Sequence, residues 1–250
     1  MITSGQPTDS SATKTEVVNV VTGETCLDLA DFPLQNYRAV GANLHETPVL
    51  CGGSYYSETH QTSTWYQNCY KLTDAGWKEF AIMKEKRYAA AGVVYKNKFH
   101  IFGGHKGSNR LQTSELISIY GVVEDGPALQ EAVEGHAITS VNSKVSILTG
   151  GSTSANYYSP KTWYFNHETG AFSSGPPLVV GRTRHGSATI VDKVTNAKIS
   201  IVTAGDTTGN DPYLDSTELL INEQWQPGTT FSIFKKQHVL ICFSSTNCQP

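Results

Sequence analysis

An all-β fold assembled from repeats is what this sequence predicts, on three observations. The phrase from Arg87 to Gly104 sets two apolar runs, Ala90 to Tyr95 and Phe99 to Phe102, about a polar Lys96-Asn97-Lys98 turn and stops on a glycine pair. That is the pattern of a β-hairpin whose second strand ends in backbone free to take positive φ. The phrase recurs with openings at Arg38, Arg87, His136 and Arg184 and closings at Gly52-Gly53, Gly103-Gly104, Gly150-Gly151 and Gly205-Asp206, a period of about 50 residues. Amphipathic helical spacing is scarce, whereas short β-branched and aromatic runs return at regular intervals.

Taken in order, residues 1–14 are polar and small and have little to bury, so they read as a disordered tail without a secretory h-region. Glu16 to Val21 and Thr25 to Leu29 read as two strands about the turn Thr22-Gly23-Glu24, so the repeats begin partway through a unit. Four units follow, each a hairpin, a glycine pair, a polar loop and a third strand, and Trp77, Phe172 and Trp225 close three of them. The second unit has no aromatic in that slot, and Gly126 to Gly135 departs from the pattern. Trp65 and Trp163 fall beside or within the third strands and read as core. Repeats span 15–228; 229–250 is irregular, with Thr229 to Phe234 and Val239 to Phe243 as possible closing strands.

The motifs Leu50-Cys51-Gly52-Gly53, Ile101-Phe102-Gly103-Gly104, Leu148-Thr149-Gly150-Gly151 and the weaker Thr203-Ala204-Gly205-Asp206 resemble the kelch repeat family of β-propellers. The resemblance covers about residues 15 to 226. It implies four-stranded antiparallel blades arranged radially, an arrangement that removes exposed sheet edges when the ring closes. It also implies either a closed five-bladed ring, completed by the N-terminal half blade, or part of a larger ring. Kelch propellers commonly bind proteins, as substrate adaptors of ubiquitin ligases or as cytoskeletal scaffolds; the alternative within the resemblance is an enzyme of the galactose-oxidase or sugar-isomerase type.

In such a blade the loops between second and third strands emerge on the same face as the links between blades. These loops, Ser54 to Ser63, His105 to Thr113, Ser152 to Lys161 and Asp206 to Asp215, hold the candidate partner-binding residues. They are Tyr55, Tyr56 and His60; Asn109 and Arg110; Asn156, Tyr157 and Tyr158; Asp211 and Tyr213; with Arg87 opening its repeat on that side. Tyrosine supplies rigid contact area at low entropic cost, and arginine offers a planar fork to carboxylates. Arg38, Arg87 and Arg184 also admit a structural role, bonding backbone carbonyls between blades.

Catalytic and metal signals are absent from the pattern. The histidines show no His-x-x-x-His spacing and the cysteines no Cys-x-x-Cys, so no metal, cofactor or catalytic residue is assigned. A net charge of -3 gives no footprint for nucleic acid, and no apolar run reaches transmembrane length. With 38% hydrophobic and 16% charged residues the chain can bury a substantial core. Five cysteines leave one unpaired if the rest pair, and Cys51 and Cys69 are possible neighbours across one ladder. The lack of an Asn-x-Ser/Thr sequon and of a visible signal peptide points to a cytoplasmic, reducing interior, with secretion the alternative. The expectation is therefore a non-catalytic module that binds a protein or peptide.

Overall fold

The computed structural model describes residues 2–3, 13, 15–18, 25–26, 29–57, 59–191, 195–208 and 213–230. Most of the expected tail and the segment after Thr230 lie outside these residues. Ile2–Thr3 is nevertheless a strand paired with Glu16 and Thr15, so part of the expected tail is ordered sheet. Thr15–Val18 then pairs with Thr25–Cys26, as the sequence suggested.

Four antiparallel four-stranded sheets follow in chain order. Sheet one is Val40–Leu44, Thr47–Cys51, Asn68–Thr73 and Gly76–Ile82; sheet two is Ala91–Tyr95, Lys98–Phe102, Ser114–Ser118 and Val123–Asp125. Sheet three is Ala137–Ser140, Val145–Thr149, Thr162–Asn166 and Phe172–Ser174; sheet four is Gly186–Val191, Lys198–Thr203, Ser216–Ile221 and Gln224–Thr230. Strands within each sheet are ordered as in the chain, and the first strands of successive sheets lie side by side. The first strands are therefore innermost and the fold is β-propeller-like. The last strand of sheet four runs two residues past the expected boundary at 228.

Apolar side chains fill the space between neighbouring sheets. Sheets one and two share Val49, Met83, Phe99, Ile101 and Ile117; sheets two and three share Phe102, Leu129, Val133, Leu148 and Phe165; sheets three and four share Ile147, Leu178, Val202 and Trp225. The closing-aromatic slot faces these layers: Leu220 pairs with Trp225 and Phe165 with Phe172, while the second sheet places Val123 opposite Ile117. Trp65 departs from the expectation, since it ends a two-stranded hairpin in the loop before the third strand.

The glycine pairs end the second strands, both residues at positive φ, but the fourth pair is Ala204-Gly205 (φ 57 and 98) and not Gly205-Asp206. The first glycine of each pair meets the following unit: a Cβ on Gly52, Gly103 or Gly150 would collide with the carbonyl oxygen of Arg87, Val133 or Arg182. The second glycine donates its N–H to that same oxygen, Gly53 to Arg87 (2.9 Å), Gly104 to Val133 (2.8 Å) and Gly151 to Arg182 (2.8 Å).

Those acceptors reveal the true register of the repeat openings. Asn36, Arg87, Val133 and Arg182 are equivalent, and two residues later Arg38, Ala89, Gly135 and Arg184 share a left-handed backbone (φ 57, 52, 62 and 55). The Arg38/Arg87/His136/Arg184 series therefore mixes positions. Arg87 is 1% exposed. It donates to the Gly103 and Thr113 carbonyls (2.7 and 3.2 Å) and to Glu115 Oε1 (2.6 Å). It cannot touch a partner, because burial of its charge is matched by these internal acceptors; the expectation that it binds one is corrected. Arg182 repeats the arrangement on Ala204, Ser216 and Glu218. Glu115 in turn accepts the N–H groups of Lys84 and Glu85, and Glu218 those of Val179 and Val180, fastening each inter-sheet link to the sheet it enters.

Two outcomes follow for stability. Arg87→Ala strands Glu115 without its counter-charge, and loss of one partner of a buried pair costs about 3–5 kcal/mol; a urea midpoint equal to wild type would contradict this role for Arg87. His100 and His136 are buried and held down to about 3 and about 4, and His185 well below its usual value, chiefly by desolvation of the charged ring. Below about pH 6.5 the unfolded chain binds protons that the folded chain refuses, so their contribution is full above that pH and is lost as pH falls toward the folded values. The slope is at most about 1.4 kcal/mol per pH unit per histidine. Urea titrations from pH 7.5 to 4.5 should show it, flattened in His136→Leu.

Candidate functional site at the loop face

The second-to-third loops and the inter-sheet links meet on one face. Short antiparallel bridges join them, Tyr37 with Ser54, Tyr88 with His105, Glu134 with Ser152 and Thr183 with Asp206. Around the axis the left-handed residues are strung together by backbone bonds: Ala89 N donates to Arg38 O (2.9 Å), Gly135 N to Ala89 O (2.8 Å) and Arg184 N to Gly135 O (2.6 Å). An arc of four residues, Arg38, Ala89, Gly135 and Arg184, thus borders the axis with arginine at its ends and small residues between.

The expected contact residues sit on that face in different states. Tyr55, Tyr56 and His60 lie on the hairpin formed by Ser54–Ser57 and Thr62–Trp65. Tyr56 is 38% exposed and donates to Gln61 Oε1, and exposed His60 Nδ1 shares a hydrogen bond with Ser57 Oγ. Asn109 is exposed and Arg110 half-buried on a second hairpin, His105–Lys106 with Asn109–Arg110. Asn156 is exposed and Tyr157 is 49% exposed, its ring edge-on to half-buried Tyr158 at 4.9 Å. Tyr213 is half-buried and bridges Asp206. Asp211 lies outside the described residues.

The hairpin carrying Tyr55 and Tyr56 is closed at its neck by a disulfide. Cys51 and Cys69 are directly opposed across the ladder and are bonded, 18 residues apart in sequence. Both are buried in the layer between sheets one and two.

Between the loops lies a charged network that spacing alone does not disclose. Arg110 Nη2 donates to Ser152 Oγ (2.8 Å) and pairs with Glu134 Oε1 (3.3 Å), and its guanidinium lies 6.0 Å from the Tyr157 ring. Arg184 pairs with Asp206 Oδ2 at 2.8 Å. Tyr88 O–H and His105 Nδ1 share a hydrogen bond of 2.5 Å, with Glu134 Oε2 at 3.9 Å from the same nitrogen. Burial, with Glu134 adding to it, raises the Tyr88 phenol above its usual pKa. Arg38 lies 5.6 and 5.8 Å from the Tyr37 and Tyr88 rings, within cation–π range, and its Nε has no hydrogen-bond partner. Burial first, then the positive charge of Arg184, pushes Arg38 below its ordinary pKa. Sequence reasoning missed Tyr37, Tyr88, His105, Glu134 and Asp206 as one group; the Arg182-Thr-Arg184 doublet was the available signal that two arginine registers coexist.

No protein-family model matches the chain, and no curated protein sequence does. Among solved structures, that of YjhT is similar with a TM-score of 0.71 at 12% identity, covering 84% of this chain and 76% of that one. At that identity the likeness concerns the fold, and it agrees with the propeller-like arrangement of sheets.

Removing the disulfide tests its hold on the loop. Cys51→Ala with Cys69→Ala should lower the unfolding free energy by about 3 kcal/mol, as expected for closing a loop of this length. Circular dichroism during guanidinium titration would report it, and an unchanged midpoint would show that the strand ladder alone secures the neck.

Proposed function

We propose that this chain is a non-catalytic interaction module, a kelch-type propeller that binds a protein or peptide through its long-loop face. The observation carrying this reading is the placement of Tyr55, Tyr56, Asn109, Asn156 and Tyr157 on loops of one face, each loop rooted in a separate rigid sheet. Half-exposed tyrosines on a fixed scaffold give contact area without a large ordering cost. Arg110 contributes by position: tied to Ser152 and Glu134, it holds one hairpin against the next sheet beneath Tyr157.

The same reading carries the finer architecture. The N-terminal strands abut sheet one, where Trp77 Nε1 donates to Thr15 Oγ1 and Phe32 stacks edge-on with Trp77 and Tyr70. That contact supports an additional blade before sheet one, as a closed five-bladed ring or part of a larger one. A role as ubiquitin-ligase adaptor or cytoskeletal scaffold is the proposed context. The buried Cys51–Cys69 bond supports an oxidising compartment over the cytoplasm, since reducing interiors rarely retain such bonds.

One observation favours the second reading, an enzyme of the galactose-oxidase or sugar-isomerase type. Tyr88 and His105 share a hydrogen bond beside the axis, with the Glu134 carboxylate 3.9 Å from the same His105 nitrogen, so three groups able to carry a proton are clustered there. Selection of a random peptide display library on the immobilised protein separates the two. The binding reading expects enriched peptides whose affinity falls at least tenfold with Tyr157→Ala and is unchanged with Lys144→Ala, in the hairpin between first and second strands of sheet three. Absence of any enriched peptide would overturn it.

A further inference from the structure

Two histidines hold equivalent places in successive units, and they differ in what they bond. His136 and His185 each follow a left-handed residue, Gly135 or Arg184, and immediately precede the first strand of their sheet. Both are 6% exposed. Each ring lies against the first residue of the preceding glycine pair: a Cβ on Gly103 would stand 3.0 Å from His136 Cε1, and one on Gly150 would stand 2.8 Å from His185 Cε1. His185 Nε2 shares a hydrogen bond of 2.9 Å with Thr149 Oγ1, on the residue just before that glycine. At His136 the same place is held by Phe102, which has no polar side-chain atom. Neither ring nitrogen of His136 has a hydrogen-bond partner among the described residues. Burial has taken from this imidazole the hydrogen bonds it makes in water, and the protein returns none.

Beside His136 the packing of sheets two and three leaves a cavity of about 20 Å³. Its walls are apolar, from Leu129, Val133, Leu148, Trp163 and Phe172, and His136 is the buried polar side chain among them. Towards solvent the lining is polar, where Lys161 pairs with Glu131 at 3.0 Å. A single water requires about 10–15 Å³ of accessible space, so the cavity admits one water and is too small for an organic ligand. Desolvation holds His136 down to about 4, so at neutral pH one ring nitrogen carries a proton and the other a lone pair. Water can accept from the first or donate to the second. A metal ion would need further donors, and no group of three His, Cys, Asp or Glu side chains able to hold one occurs among the described residues.

We propose that the cavity beside His136 is a binding site for one water molecule, hydrogen-bonded to the imidazole and doing there what the Thr149 hydroxyl does for His185. The water is a component of the joint between sheets two and three. The site is independent of what the loop face binds.

Two measurements on the wild-type chain test it. A crystal structure should show one density peak about 2.7–3.2 Å from a His136 ring nitrogen. Rotating-frame NMR on protein labelled at histidine should give a cross-peak between the His136 ring and a long-lived water, with none at His185. His136→Phe keeps a ring and removes both nitrogens, so it should lose the peak and the cross-peak, because an apolar cavity stays dry. Absence of both signals from wild type would overturn the site whether or not the variant folds. Equal cross-peaks at His136 and His185 would reveal general entry of solvent and overturn it as well. A density peak that survives in His136→Phe would assign the water to other groups and remove the role given to His136.

Discussion

Everything in this structure depends on one crowded corner per repeat, where the second strand ends and a carbonyl of the next unit comes down onto it. The carbonyls of Arg87, Val133 and Arg182 lie where a Cβ of Gly52, Gly103 or Gly150 would stand, and each accepts a hydrogen bond from the glycine that follows. Only a residue without a side chain permits that approach in a left-handed conformation. The contact fixes how far the link can lie from the preceding sheet, and therefore where the following first strand starts. The fourth corner carries Ala204 at φ 57 in the place of the first glycine. No carbonyl of a following unit descends on it among the described residues, so the reason for excluding a methyl group is missing there.

The link that supplies the carbonyl must itself be held, and the repeats do this with two kinds of chemistry. Phe32, Met83, Leu129 and Leu178 are buried anchors four residues before Asn36, Arg87, Val133 and Arg182. In sheets two and four a buried Arg–Glu pair finishes the work by bonding the carbonyl at the corner and the amides of the link. In sheet one Asn36 Nδ2 donates to the Gly52 carbonyl, and the third-strand position that Glu115 takes in sheet two is held by Tyr70, against the ring of Phe32. Sheet three is apolar at both places, with Val133 and Trp163. A buried ion pair bonded to backbone acceptors and a packed aliphatic–aromatic contact are near-equivalent solutions, so the corner is kept while the side chains beneath it change sign and polarity.

That freedom explains what was legible in the amino-acid pattern. The glycine pairs were visible because backbone geometry forbids substitutes, and the hairpins because alternation around Lys96-Asn97-Lys98 reports the pleat directly. Arginine was ambiguous because it serves in two registers two residues apart, buried at Arg87 and Arg182 and bordering the axis at Arg38 and Arg184. Spacing measured over a period of about 50 residues cannot resolve an offset of two when the loops themselves vary in length. The tyrosines of the loops were found, since loop residues announce themselves by composition. The partners that make a site from them were not: Glu134 comes from a different repeat than the Arg110 it pairs with and the Arg38 its charge reaches, and only the packing of successive sheets brings them together.

A repeat fold of this kind separates what must be uniform from what must differ. The backbone at Arg38, Ala89, Gly135 and Arg184 is one conformation repeated and joined bond by bond. Three stations carry a side chain, a guanidinium or a methyl group, while at Gly135 a Cβ would strike Thr183 Oγ1, so that station is left bare by its own packing. The two stations that carry guanidinium are not neighbours in sequence or in the arc, and each is steadied by a different device, aromatic rings for Arg38 and Asp206 for Arg184. The loop face is consequently an asymmetric surface drawn on a repeated frame, with Arg184 neutralised by Asp206 and Arg38 set against two aromatic rings.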